Sequence, residues 1–174
     1  MTERKSYDES CRVLQSLTIL DPGEVPPQPV RSPRHDDDGL GLSFFRTRLD
    51  GVSLAGLTLP RTFFGRSEIR NVSFNGSDLS ESTAVWNDFI DVDFGRCDLS
   101  RADLRASIFE RVNFAGATLR GANLCRATFR DCSFGGADLT GAQLSRRVVW
   151  LLRLSASQRA VVKWRWRGEE PAGG

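Results

Sequence analysis

Residues 99–144 decide the fold; they read LSRADLRASIFERVNFAGATLRGANLCRATFRDCSFGGADLTGAQL. Every fifth residue of this stretch is apolar, in one unbroken phase. Followed outward, the same phase extends back to Phe44, which gives 21 apolar positions in succession. We call these positions the centres. They are Phe44, Leu49, Leu54, Leu59, Phe64, Ile69, Phe74, Leu79, Ala84, Phe89, Phe94, Leu99, Leu104, Phe109, Phe114, Leu119, Leu124, Phe129, Phe134, Leu139 and Leu144.

A period of five matches neither the 3.6-residue period of a helix nor the two-residue period of a strand. The residue two places before each centre is also restricted: it is Ala, Val, Ser, Cys, Thr or Leu everywhere except at Asn87. Two inward positions followed by turn-forming residues describe a short strand and then a corner. A chain that turns the same way every five residues coils, so the pattern predicts a solenoid.

The centres resemble one another most clearly at a spacing of 20 residues, which indicates four faces per coil. One face carries Phe at four successive centres and another carries Leu, and we predict that these side chains form the core. They are Phe74, Phe94, Phe114, Phe134, Leu79, Leu99, Leu119 and Leu139. Twenty-one centres on four faces predict about five coils, stacked at the spacing of hydrogen-bonded strands.

Three stretches of this region match the motif A-(D/N)-L-X-X closely: 102–106 (ADLRA), 122–126 (ANLCR) and 137–141 (ADLTG). On these residues the chain resembles the pentapeptide-repeat family, over about residues 42–145. The resemblance implies an all-β fold, a right-handed quadrilateral β-helix whose interior is filled by the centres and the residues two places before them. It implies much less about function, because a fold does not determine a function.

The sequence divides into three parts. Residues 1–40 are predicted to be a flexible N-terminal extension with a Pro-rich linker, and residues 41–145 to be the pentapeptide-repeat β-helix. Residues 146–174 are predicted to be a short C-terminal cap, partly helical over 156–164 because Ser155 and Gln158 have the spacing of a capping box, with a frayed end. A solenoid needs its open ends covered, since exposed strand edges template aggregation.

Composition argues against an enzyme. The chain has 11 Phe but one Tyr and one His, and its four Cys are scattered. A packed column offers no concave, water-excluding site, so we predict no catalytic, cofactor-binding or metal-ligating residues. The absence of a long apolar run and of an apolar N-terminal stretch predicts no membrane span and no secretory signal. The resemblance implies a bacterial, cytoplasmic protein.

The charge of the sequence helps to judge two candidate partners, gyrase and an anionic molecule such as nucleic acid. Some members of the family imitate duplex DNA and bind gyrase, which requires an acidic rod; residues 42–145 instead contain 12 Arg and 12 acids. The segment 145–174 has seven basic residues, two acids and three of the four Trp. It is interpreted either as a surface for an anionic partner such as nucleic acid or as a cap whose Trp pack on the last coil. We favour the cap, disfavour DNA binding, and leave open a homodimer contact through this segment.

The repeat departs from its pattern at Ala84, the one small centre. Val85, Trp86 and Ile90 then occupy outward or corner positions, and Ile108 lies one coil after Asp88. Arg66 lies one coil before Trp86, which suggests a cation–π contact between them. They form either a partner-binding patch or a local bulge in which Trp86 folds inward beside Ala84. The function predicted is a non-enzymatic protein-interaction or scaffold module that presents rigid β-helix faces to a protein partner. The alternative is a DNA-mimicking topoisomerase (gyrase) binder giving quinolone or toxin protection.

Overall fold

A computed structural model describes residues 4–29 and 41–166. Helix α1 opens this part of the chain, nine short strands follow, and helix α2 precedes a tenth strand. The elements are α1 (Tyr7–Ser16), β1 (Ser43–Phe45), β2 (Arg48–Asp50), β3 (Phe63–Gly65), β4 (Glu68–Arg70), β5 (Asp88–Ile90), β6 (Ile108–Glu110), β7 (Asn123–Leu124), β8 (Thr128–Arg130), β9 (Gln143–Ser145), α2 (Ala156–Val161) and β10 (Lys163–Arg165). Single 3-10 turns lie at Pro22–Glu24 and Arg146–Val148.

The strands pair in parallel with a constant offset of 20 residues. Strands β2, β4, β5, β6 and β8 form one face. A second face contains β1 with β3 and β7 with β9 and β10. Isolated bridges build the other two faces, one beginning at Ser53 and Ser73 and the other at Thr58 and Asp78. The fold is therefore an all-β, quadrilateral β-solenoid, as the sequence predicted.

The solenoid has about six turns rather than about five. The additional turn comes from β10, which pairs with β9 so that Trp164 lies opposite Leu144. Trp164 therefore occupies the place of a further centre, and its half-buried side chain packs on the core. The sequence stretch interpreted as a cap thus also extends the sheet.

The interior is a solid column of side chains. Every centre from Phe44 to Leu144 is buried, with at most 6% of its surface exposed. Phe74, Phe94, Phe114 and Phe134 stack face to face with ring centroids 4.8–5.4 Å apart. The neighbouring face adds edge contacts, such as the 5.4 Å contact of Phe109 with Phe114. Offset and edge geometries of this kind add to the energy of burial.

The corners of the solenoid turn through left-handed backbone. Residues such as Gly51, Gly76 and Arg96, two places after a centre, have φ of 68°, 69° and 54°. The Asp or Asn just before many centres supports the corner: Oδ1 of Asp98 accepts a hydrogen bond from the Ser100 amide at 3.0 Å. Short carboxylates at these positions are therefore partly structural, as expected for residues that bond nearby backbone amides.

The N-terminal part differs from the flexible extension expected. Helix α1 and the residues just before it pack against the first coil, with Tyr7, Cys11 and Leu14 of α1 buried. The hydroxyl of Ser10 accepts a hydrogen bond from the Thr58 amide at 2.8 Å, where a preceding coil would otherwise supply the acceptor. An amphipathic helix beside a strand edge gains burial and satisfies edge donors, which explains the docking. Residues 1–3 and 30–40 lie outside the described part.

The C-terminal part covers the opposite end. Ser155 and Gln158 form the predicted capping box, and Gln158 also donates hydrogen bonds to the carbonyl oxygens of Phe134 and Ala137 at 2.7 and 3.0 Å. Helix α2 ends at Val161, three residues before the predicted end, because the chain then extends to pair with β9. The frayed end expected beyond residue 166 lies outside the described residues.

Candidate functional site

One corner of the solenoid has an unusual composition. Stepping by 20 residues, it carries Arg46, Arg66, Trp86, Ala106 and Arg126 in successive coils, all with φ between 51° and 62°. The same step continues to Arg146 and Trp166. No acidic residue stands in this series, whereas the next corner of the coil carries Asp91, Arg111 and Asp131 in successive coils.

A groove of about 1230 Å³ opens along the upper half of this corner, and we call it the corner groove. All four Trp of the chain line it, together with four Arg and, within the described part of the chain, no carboxylate. The lining residues are Trp86, Ala106, Ile108, Arg126, Thr128, Ser145, Arg146, Arg147, Val149, Trp150, Trp164, Arg165 and Trp166.

The walls of the corner groove are held by specific contacts. The guanidinium carbon of Arg146 lies 4.5 Å from the ring centroid of Trp166, a cation–π contact. Nε1 of Trp164 donates to the carbonyl oxygen of Arg159 at 3.1 Å. Nε of Arg165 donates to Oε1 of Gln143, also at 3.1 Å. These contacts fix the aromatic rings and guanidinium groups relative to the sheet.

The groove exists partly because Ala106 is small. Its neighbours in the corner series, Trp86 below and Arg126 above, both have long side chains, so Ala106 leaves a gap between them. Trp86, Trp150 and Trp166 remain 61%, 85% and 56% exposed. Monomeric proteins seldom expose so much large aromatic surface in one place unless it binds something.

The backbone at Trp86 is that of an ordinary corner. Its φ of 61° is left-handed, as at Arg66, Ala106 and Arg126 of the same series. The conformation therefore belongs to the fold, and the exposed indole is what distinguishes this corner.

Arg146, Arg147 and Arg165 of the corner groove differ from many Arg residues on the rest of the solenoid. Several of those pair with acids within the same coil or one coil away: Nη2 of Arg105 lies 2.7 Å from Asp103, and Nε of Arg111 lies 2.6 Å from Asp91. The hydrogen bond from Arg111 lowers the pKa of the Asp91 carboxyl. Within residues 4–29 and 41–166, no carboxylate lies within 4.0 Å of the guanidinium of Arg146, Arg147 or Arg165.

The patch proposed from the sequence is only partly brought together. Trp86 and Ile108 line the corner groove; Arg66 and Val85 lie beside it, and Ile90 stands at the far end of β5 between Arg70 and Glu110. The alternative in which Trp86 folds inward beside Ala84 is wrong, because the Trp86 ring points to solvent while Ala84 stays buried.

The sequence comparison between coils also suggested a contact between Arg66 and Trp86. The cation–π contacts found in the described residues are those of Arg46 with Phe45 and of Arg146 with Trp166.

Sequence reasoning did not connect Trp150, Trp164 and Trp166 with Trp86. The signal was present: the step of 20 residues from Trp86 reaches Trp166, and the same step from Leu144 reaches Trp164. Because the predicted repeat ends at residue 145, Trp164 and Trp166 were not aligned with the positions of the earlier coils.

The cysteines offer no reactive thiol. Cys97 is fully buried, and burial raises the pKa of its thiol well above the ordinary value. Burial also raises the pKa of the half-buried Cys132. Cys125 follows a centre by one residue, which predicts an outward position; this prediction is wrong, because Cys125 is buried.

Among residues 4–29 and 41–166, no group of three or more His, Cys, Asp or Glu side chains is arranged to hold a metal ion. No helix in this part of the chain is long and apolar enough to cross a bilayer.

These features define a class of protein: a β-solenoid filled with side chains, with both ends covered and its accessible chemistry on the outer surface. The chain belongs to the pentapeptide repeat family, whose pattern matches residues 47–83, 88–124 and 107–146 in eight copies.

Solved structures agree with the fold. HetL, a pentapeptide repeat protein involved in heterocyst differentiation regulation in the cyanobacterium Nostoc sp. strain PCC 7120, is 22% identical with a TM-score of 0.56. The match covers 57% of this chain and 48% of HetL, so the chain spans about half of that protein's length.

Two other structures match less closely. Rfr23 from Cyanothece 51142 is 14% identical with a TM-score of 0.46, over 57% of this chain and 85% of Rfr23. AT2G44920 from the Arabidopsis thaliana thylakoid lumen is 33% identical with a TM-score of 0.34, over 65% and 72%. No curated protein matches the chain.

Proposed function

We propose that this protein is a non-enzymatic interaction module that presents its rigid surface to a protein partner. The observation that carries the proposal is the corner groove, which four Trp and four Arg line and to which the described residues contribute no carboxylate. Trp and Arg are the residues most enriched among the energetic hot spots of protein interfaces. We place this function in the bacterial cytoplasm, following the resemblance of the repeats.

The solenoid suits this role physically. Its centres are close-packed and its backbone ladder continues through all four faces, so the outer side chains are held at fixed spacings. Binding to a preorganised surface avoids the entropy cost of ordering it. The surface is thus ready to bind before a partner arrives.

The proposal is tested by capturing partners with matched variants. The full chain and the variants Trp86→Ala and Arg96→Ala are each immobilised and exposed to an extract of the source cells, and retained proteins are quantified by mass spectrometry. Ala106 shows that the corner backbone accepts Ala, and Arg96 is an exposed residue at an equivalent corner position on another edge. We expect one or a few proteins to be retained by the wild type and Arg96→Ala and reduced at least tenfold by Trp86→Ala. Retention of no protein above a blank surface contradicts the interaction role.

A gyrase supercoiling assay, with and without quinolone, addresses the alternative of DNA mimicry. The outward Arg and acids of the solenoid pair with one another, as Arg120 does with Asp138 at 3.1 Å, and the corner groove is basic. Such a surface is a poor imitation of a polyanion. Micromolar protein is expected to leave supercoiling unchanged, and inhibition or protection would favour the topoisomerase alternative.

A further inference from the structure

We propose that the corner groove binds a short, extended, acidic peptide segment of a partner protein that also carries an aromatic or other large apolar side chain. This inference rests on the proposed function and names the chemistry of the partner. Three properties of the corner groove lead to it: its charge, its aromatic surface and its length.

Charge gives the first requirement. Arg126, Arg146, Arg147 and Arg165 line the corner groove, and no acid does among residues 4–29 and 41–166. On the rest of the solenoid, carboxylates neutralise many of the Arg, as Glu68 does Arg70 at 2.6 Å. Clustered guanidinium groups without lining carboxylates favour a ligand that supplies carboxylates of its own.

The aromatic surface gives the second requirement. The rings of Trp86 and Trp150 are exposed, and Ile108 and Val149 add apolar surface between them and the sheet. A purely ionic ligand would leave these groups in contact with water. An aromatic or large aliphatic side chain inserted above Ala106 would bury them, which is the usual composition of an interface core.

Length gives the third requirement. From Trp86 to Trp166 the corner rises through four coils, which is about 19 Å at the spacing of hydrogen-bonded strands. An extended chain covers this distance with about six residues at 3.3 Å each. The volume of about 1230 Å³ exceeds the range of about 300–1,000 Å³ typical of small-molecule pockets, so a chain segment fits better than a metabolite.

A nucleic acid fits the corner groove less well than a peptide. A polyanion would continue past the groove onto the neighbouring face, where Asp88 lies directly below Ile108 and Glu110 follows in the same strand. One face of the Trp166 ring is also covered by Arg146, which removes a stacking surface. Continuous basic tracks and open aromatic faces are what single-stranded nucleic acids require.

The test begins with an unbiased selection. A phage-displayed library of random 12-residue peptides is selected against the immobilised full chain, and the three most enriched peptides are synthesised with a fluorescent label. We expect the enriched peptides to combine Asp or Glu with Phe, Tyr, Trp or Leu. Failure to enrich any peptide, or enrichment of basic peptides, overturns the proposal.

Variants then locate the binding. The affinity of the labelled peptides, measured by fluorescence polarisation, is expected to fall at least tenfold in Trp86→Ala and in Arg146→Glu. The matched control Arg96→Glu, an exposed Arg at an equivalent corner position, is expected to change it less than twofold. Thermal unfolding of each variant shows that the fold is kept. Equal affinity for wild type and Trp86→Ala overturns the proposal.

Two other candidate ligands of the corner groove, a single-stranded nucleic acid and a second copy of the chain, are tested in parallel. If a labelled single-stranded oligonucleotide binds more tightly than the selected peptides and depends on Trp86, the corner groove is a nucleic-acid site. If light scattering shows a dimer that Trp86→Ala dissociates, a second copy of the chain fills the groove. Either result overturns the proposal. Should the peptides fail while a cellular partner is captured through another face, the interaction module stands and only this inference falls.

Discussion

Asn87 shows how one side chain holds two coils together. It is buried at a position where the coils below and above carry Ser67 and Ser107. Its Oδ1 accepts a hydrogen bond from the Ser67 amide at 2.7 Å, and its Nδ2 donates to the carbonyl oxygen of Phe64, also at 2.7 Å. Asn87, the one departure from the residue set at this position, therefore supplies the hydrogen bonds that Ser supplies in the neighbouring coils.

Replacing Asn87 with Val should lower the free energy of unfolding by about 2–4 kcal/mol, because the Ser67 amide and the Phe64 carbonyl would be left buried without partners. Asn87→Ser should cost less than about 1 kcal/mol, since Ser107 makes the equivalent contacts to the Asn87 amide and the Ala84 carbonyl. Urea unfolding followed by circular dichroism measures both. Equal losses for the two variants would show that the hydrogen bonds are not the cause.

At the scale of elements, α1 closes the N-terminal end of the solenoid. Leu14 is fully buried against the core, whereas Leu17 at the end of the helix is 39% exposed. Leu14→Ala should therefore lower the free energy of unfolding by about 2–5 kcal/mol, the usual cost of truncating a buried Leu. The matched control Leu17→Ala should change it by less than about 0.5 kcal/mol. If Leu14→Ala is as mild as the control, α1 does not contribute to stability as its burial indicates.

The elements also show what sequence can and cannot predict. The centres are specified by an apolar residue at every fifth position, so the four faces follow directly from the spacing. Helix α1 lies outside the repeating region, and β10 follows an irregular stretch. The positions of both depend on which strand edges the solenoid leaves unpaired at its two ends. The Thr58 amide requires a hydrogen-bond acceptor, and the strand that contains Gln143 requires a neighbouring strand. Neither requirement can be recognised until the coils are stacked in the structure.

The corner groove, too, could be predicted only in part from the sequence. Trp86 stood out in the sequence because it follows the one small centre, Ala84. Its neighbours in the groove depend on the return of the chain from Arg146 through α2 to β10, which brings Trp166 above Arg146. A periodic pattern determines which residues stack. The 17 residues between β9 and β10 do not follow that pattern, so the sequence alone does not show where strand pairing resumes.

On the scale of the whole molecule, ion pairs connect successive coils from outside while the Phe and Leu stacks connect them within. Asp91 pairs with Arg111 one coil above, and Glu68 with Arg70 in its own strand. Hydrogen bonds from these Arg are the largest cause of the lowered pKa of each carboxyl. The pKa of Asp138 is lowered first by the hydroxyl and amide of Thr140 and then by Arg120.

These lowered pKa values determine the response to acid. Carboxyl groups that titrate below their unfolded values, about 3.9 for Asp and 4.3 for Glu, stabilise the fold above those values and lose that contribution as the pH falls through the folded pKa. The urea midpoint should therefore be nearly constant from pH 7 to 5 and fall below pH 4. In Arg111→Gln, which removes the partner of Asp91, the fall between pH 5 and 3 should be smaller. High salt should also reduce it, because the pairs are exposed. An equal midpoint at pH 7 and pH 3 would mean that the apolar column alone sets the stability, with the ion pairs contributing only to the arrangement of the surface.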